Sequence, residues 1–161
     1  MMLNQIVVSI ADMKISNNPN DVLVTYSLGS CVALAVYDPY SHTAGLIHIM
    51  LPESSIEKQL TNLNPYKYVD LGVPALYKSL FKTGIKRNHL ITKVIGGSNV
   101  MDKNNYFNIG ERNYLAVRKM LWRNNMIIHK EDVGGNKSRT VRIFTATGKV
   151  VISNSYEEYE L

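Results

Sequence analysis

The sequence predicts an α+β fold of mixed, largely antiparallel sheets packed with two main helices. Three observations carry this. Short runs rich in β-branched residues recur with brief polar turns between them, which favours hairpins. Two longer stretches carry apolar residues at a period near 3.6 rather than 2. The chain has 161 residues, 45% hydrophobic and 19% charged, enough to bury one core without metal or disulfide staples. A single domain over residues 1–161 is the expectation, with no repeat, low-complexity tract or linker.

Residues 4–10 read as a strand through Ile6, Val7, Val8 and Ile10, followed by a polar turn at 17–21 that contains Pro19. Residues 22–27 form a second strand, broken by Gly29 just before Cys31. The run VALAVYD at 32–38 is short and apolar throughout, so it predicts a buried strand. A turn at Asp38–Pro39 leads to a returning strand over 45–51, stopped by Pro52, which has no N–H for a ladder. A helical turn at 54–60 and a loop at Asn62, Asn64 and Pro65 follow. A helix runs from an Asp70 cap to about Thr83, with Val73, Leu76, Tyr77, Leu80 and Phe81 inward, Pro74 in the first turn and Gly84 past the end.

A strand over 91–95 ends at Gly96–Gly97. Asn108 caps a second helix whose inner face is expected at Ile109, Leu115, Ala116, Met120 and Leu121. Arg118, Lys119 and Arg123 suit its C-terminal dipole. Residues 126–130 read as a strand, and 141–145 with 149–153 as a terminal hairpin. The acidic tail at 157–161 is expected to fray.

Composition removes several function classes. Cys31 is the one cysteine, which excludes an intrachain disulfide and the Cys-rich zinc sites. His42, His89 and His129 show no metal-ligand spacing, so no metal or cofactor is expected. The N-terminus lacks a basic region, Asp12 interrupts its apolar run, and no apolar stretch is long enough for a transmembrane helix. A cytoplasmic protein without membrane insertion is the expectation. The 18 Lys and Arg against 13 Asp and Glu give +5, a modest excess that selects no partner. The aromatic residues do not interleave with a basic stripe, so nucleic acid is not expected. The GGSN run at 96–99 lacks the rest of a phosphate loop and reads as a tight turn.

Cys31 carries the chemistry worth weighing. A cysteine nucleophile needs access, a base and a group that orients the base. Cys31 stands at the start of a strand after Gly29 and Ser30, whose backbone N–H groups suit a developing oxyanion. His48 lies on the hairpin partner strand, and Thr25 stands six residues upstream of the cysteine with a hydroxyl to hold the imidazole. The bland reading is that Cys31 is core, His48 a half-buried strand residue and Thr25 a β-former. These residues alone leave both readings open.

The combination of motifs resembles the CheD family of bacterial chemoreceptor glutamine deamidases. The resemblance runs through TYSLGSCVALAVYDP at 25–39, GLIHIMLP at 45–52, YVD at 68–70 and KVIGGSN at 93–99. It continues in NIGERN at 108–113, DVGGNKSR at 132–139 and TGKV at 147–150. Ser98 and Ser138 depart from residues common in relatives, and neither belongs to the triad. The resemblance implies a catalytic triad of nucleophile Cys31, base His48 and Thr25, without a cofactor. It implies an α/β sandwich-like fold, similar to the catalytic cores of deamidating toxins. It further implies deamidation of methyl-accepting chemotaxis receptors through a thioester, at receptor arrays, and for some members binding to a CheC-type phosphatase. A non-catalytic regulator of that phosphatase is the alternative reading. The rim that would meet a helical partner is expected at 98–108 and 134–139, with Ser98, Asn99 and Arg139 as contacts.

Overall fold

The structure, a computed structural model, describes residues 2–59, 61–100, 104 and 106–161. Among these, the strands are β1 (Asn4–Val7), β2 (Asp12–Ser16), β3 (Asp21–Leu28), β4 (Val32–Asp38), β5 (Thr43–Ile49), β6 (Ile91–Gly96), β7 (Lys130–Val133), β8 (Arg139–Phe144), β9 (Val150–Ser153) and β10 (Glu158–Glu160). Helix α1 spans Val69–Lys82 and α2 spans Ile109–Arg123. Two five-stranded sheets form, ordered β1-β3-β8-β9-β10 and β2-β5-β4-β6-β7. Pairing is antiparallel except for β1–β3 and β6–β7. The α+β class and the two main helices stand as the sequence predicts. No described helix is long and apolar enough to cross a membrane.

Alternation along the strands sorts the core into two layers. Val32, Leu34, Val36, Ile47, Ile49 and Val94 face α1 and α2, where they meet Val73, Leu76, Leu80, Val117 and Leu121. The opposite face of the same sheet presents Ala33, Ala35, Ala44 and Leu46 to Leu23, Val141, Ile143 and Ile152 of the other sheet. Strand β4 is thus covered on both sides, which is why VALAVYD is apolar at nearly every position. The order is helices, sheet, sheet.

Several expectations change. Strand β2 was not foreseen, because Asp12, Lys14 and Ser16 make it half polar at an edge. The apolar run at 126–130 is not the strand. Met126 and Ile128 cover the helix layer, and the ladder with β6 begins at Lys130. The acidic tail does not fray. Its last residues pair with β9, while Tyr159 and Leu161 pack on the sheet–sheet core. Two apolar residues are too short a period-two signal to read from sequence. Tyr68 is the N-cap of α1, and Asp70 instead accepts from the Ser54 N–H and hydroxyl. Pro74 stands inside α1, beyond its first turn. Leu115, expected inward on α2, is 51% exposed, and Gly110, Asn113, Val117 and Leu121 form the buried face.

Strand β3 is irregular where it matters. Thr25 pairs with Val141 and Leu28 with Arg139, so one extra residue bulges between them. Without the bulge, residues 25 and 28 would face opposite sides of the sheet. With it, Thr25 and Leu28 are both fully buried, and Ser27 takes a φ of 54° as the chain turns toward Cys31.

Candidate active site

Cys31 ends the loop between β3 and β4. It is partly buried, packs against the sheet–sheet core, and lines an open cleft of about 1010 Å³ together with Ser27, Gly29 and Ser30. His48 on β5 is 1% exposed and lies opposite Ala33 of β4. Cys31 lies two residues before Ala33 and packs against the same sheet–sheet core, at the end of β4 next to the part of β5 that carries His48. The hairpin brings cysteine and histidine to one face of one sheet. Thr25 reaches His48 from the other sheet.

The hydrogen bonds of Thr25 fix the state of the imidazole. Its Oγ1 lies 2.7 Å from the Val8 carbonyl oxygen and 2.7 Å from His48 Nδ1. The carbonyl only accepts, so the single hydroxyl proton goes to Val8. The hydroxyl oxygen then accepts from Nδ1–H. This tautomer leaves Nε2 with a free lone pair, and Nε2 is a buried atom without a hydrogen-bond partner among the described residues. Burial holds the imidazole pKa down at about 4, so the ring is neutral near pH 7. Burial also pushes the Cys31 thiol up, partly offset by its own backbone N–H. Both shifts favour the uncharged forms of these two side chains.

Backbone contacts hold the cysteine loop. Gly97 N–H donates to the Cys31 carbonyl at 2.8 Å, and Ser98 N–H to the Gly29 carbonyl at 2.9 Å. Gly96 has a φ of +110°, and a Cβ there would collide with the Cys31 carbonyl oxygen, so this position needs glycine. The first turn of α2 closes the far side of the cleft, with Gly110 set against the Gly97 and Ser98 carbonyls. Asn113, fully buried on α2, donates through Nδ2 to the carbonyls of Ser30 and Met50, both at 2.9 Å.

The expected rim residues separate. Asn99 is exposed and lines the cleft. Ser98 is 0% exposed, with its hydroxyl 3.1 Å from the Gly134 carbonyl and 2.8 Å from that of Lys137. Arg139 is also buried, and its guanidinium grips Asp132 at 2.9 and 3.2 Å and donates to Ser98 Oγ. Ser98, which also lines the cleft, and Arg139 brace its wall, with their polar side-chain atoms engaged within the chain. Residues 101–103 and 105 of the expected rim segment lie outside the described residues. Among the described residues no group of His, Cys, Asp and Glu is gathered as for a metal.

Sequence reasoning missed Val8 and Asn113, and it covered Phe107 only within the expected rim segment 98–108 without singling it out. Val8 acts through its carbonyl, which no side chain announces. Asn113 left a signal: it is polar at a helix position in phase with Gly110, Val117 and Leu121. Phe107, 69% exposed at the cleft, left one as an aromatic residue outside any apolar period.

Comparison with known proteins gives the chain's relatives. The family model described as CheD chemotactic sensory transduction matches residues 50–154. A probable chemoreceptor glutamine deamidase CheD 1 of Syntrophus aciditrophicus is 44% identical over 153 residues, covering 95% of this chain and 96% of that one. A probable chemoreceptor glutamine deamidase CheD of Clostridium kluyveri is 44% identical over 156 residues, and one of Solibacter usitatus 40% identical over 159. Each alignment covers 94% or more of both chains. With that family model matching well over half of its residues and relatives aligned over nearly its whole length, the chain belongs to the CheD family.

Proposed function

We propose that this protein hydrolyses glutamine side chains of chemoreceptors to glutamate in the cytoplasm, with Cys31 as nucleophile, His48 as base and Thr25 as the group that orients it. The observation that carries this reading is the buried Val8–Thr25–His48 chain, which leaves the His48 Nε2 lone pair unpaired beside the face occupied by Cys31.

Cys31 gives its proton to Nε2 as the sulfur attacks the glutamine carbonyl carbon. The C=O π pair moves to oxygen, where backbone N–H groups around Gly29, Ser30 and Cys31 stabilise the charge. As the carbonyl re-forms, the C–N bond breaks and His48 returns the proton to the departing nitrogen, releasing ammonia and leaving a thioester. Water then adds to the thioester, His48 takes its proton, and the C–S bond breaks to free glutamate and restore the thiol. A positioned base is needed because burial favours the uncharged thiol.

The cleft is open and its lip is apolar: Val100 and Phe107 line it, with Tyr106 85% exposed next to Phe107. Such a lip suits a helix presented side-on, as in a receptor's helical cytoplasmic region, and on this reading the protein acts at receptor arrays. Ammonia release from a receptor cytoplasmic fragment tests the reading. Wild type releases ammonia and Cys31→Ala does not, while the variant keeps its fold because loss of one sulfur leaves a small cavity. Undiminished release by Cys31→Ala overturns the assignment.

A further inference from the structure

We infer that Asn113 is a positioning residue: by gripping the Ser30 carbonyl it aims the backbone N–H of Cys31 at the oxygen of the substrate amide. The inference rests on the proposed deamidase reading and deepens it. Asn113 is 0% exposed, and Nδ2 donates to two carbonyls, Ser30 and Met50, at 2.9 Å each. Both acceptors are carbonyls, so the carboxamide has only one workable orientation.

The Ser30 carbonyl and the Cys31 N–H belong to one peptide plane. In a trans peptide they point in opposite directions, and the described chain has no cis bond. Pulling the oxygen toward α2 turns the N–H away from it, to the side of the Cys31 sulfur. The N–H is accordingly spent on no carbonyl. It lies outside the β4 ladder and, among the described residues, donates to no other backbone group. A donor left free next to the attacking atom is where an oxyanion forms. The same carboxamide ties this peptide to Met50, just past the strand that carries His48, so donor and base are set from one anchor.

Because Cys31 is the lone cysteine, its chemistry and its amide signal can be read without ambiguity. Two reactions separate the roles. Alkylation by iodoacetamide displaces iodide at a saturated carbon and forms no oxyanion. Deamidation does form one. For Asn113→Ala the expected result is a kcat on the receptor fragment lowered by about tenfold to a hundredfold. KM and the iodoacetamide rate are expected to stay within about twofold of wild type, since neither draws on the oxyanion. Equal losses in alkylation and deamidation mean that Asn113 only holds the loop together, and overturn the inference, as does an unchanged kcat.

A measurement on the wild-type chain covers a variant that fails to fold. Labelling with 15N-cysteine gives one amide signal. On adding butyraldehyde, a short aldehyde that forms a hemithioacetal with the thiol, the Cys31 amide proton is expected to move downfield as it engages the new oxygen. Adduct formation without that shift overturns the inference. Absence of ammonia release by wild type, with the shift present, defeats the substrate assignment and leaves the donor assignment standing.

Discussion

Thr25 does two things with one hydroxyl, and each can be removed separately. Thr25→Val strips the acceptor from His48 Nδ1–H and the donor from the Val8 carbonyl, while Thr25→Ser keeps both. The valine variant is expected to lose about 1–3 kcal/mol of stability for the buried groups left unpaired. Its kcat should fall by about tenfold or more, since the ring loses its fixed tautomer. The serine variant stays near wild type in both, and chemical denaturation with ammonia-release kinetics reads the pair. The His48 pKa gives a second expectation at this scale. Unfolded, His48 titrates at its ordinary 6.5, and folded at about 4, so between these values the unfolded chain binds more protons. Its contribution is intact above the unfolded value and is lost as pH falls toward 4, a loss of up to about 3 kcal/mol. Melting temperatures from neutral pH downward should show this slope in wild type and less of it in His48→Gln. The raised thiol gives the matching kinetic sign: alkylation of Cys31 climbs with pH without a plateau in the acid range. In the sequence, Cys31, His48 and Thr25 stood out only as residue types at hairpin-compatible spacing, a pattern that a plain core reading fitted as well. The proton direction among them was not, because it depends on the Val8 carbonyl.

At the scale of elements, helix α1 carries a visible compromise. Pro74 stands beyond the first turn, so the Asp70 carbonyl lacks the N–H that an ordinary residue would supply. The Pro74 side chain is exposed, so replacing it forfeits little packing. Pro74→Ala is expected to stabilise the protein by about 1 kcal/mol, the restored hydrogen bond outweighing the extra freedom of the unfolded chain. A higher urea midpoint at unchanged slope reads this, and a lower midpoint contradicts it. Strand β4 was legible almost to the residue, because a strand covered on both faces writes its burial as an unbroken apolar run. Edge strands β2, β7 and β10 were not, since they are at least half polar, and β2 and β7 lean on partners far away in sequence. The exposed Leu115 on α2 misled for a related reason: an apolar residue one position out of phase still fits a loosely drawn stripe.

For the whole molecule, a cleft between the cysteine loop, the 134–138 loop and the start of α2 holds Cys31, and its exposed apolar lip is the surface the proposed function assigns to partners. A receptor helix and a CheC-type phosphatase would then contend for the same lip. Saturating phosphatase is expected to slow ammonia release from the receptor fragment, with the loss relieved by more fragment. Tight binding with undisturbed release would place the phosphatase on another face. The layered architecture was legible from periodicities. The bracing of the cleft wall by Asp132, Arg139 and Tyr159 was not, because it joins three strands through side chains that look like ordinary surface charge in sequence.

The Thr25–His48 bond also bridges the two sheets. Thr25 is held in place by β8, whose residues Arg139–Phe144 leave the ribosome late. A nascent chain long enough to display Cys31 and His48 therefore still lacks the neighbour that steadies β3 and, with it, the imidazole. On the proposed mechanism, hydrolytic competence would arrive only after β8 has paired with β3, and bystander glutamines would be spared until then.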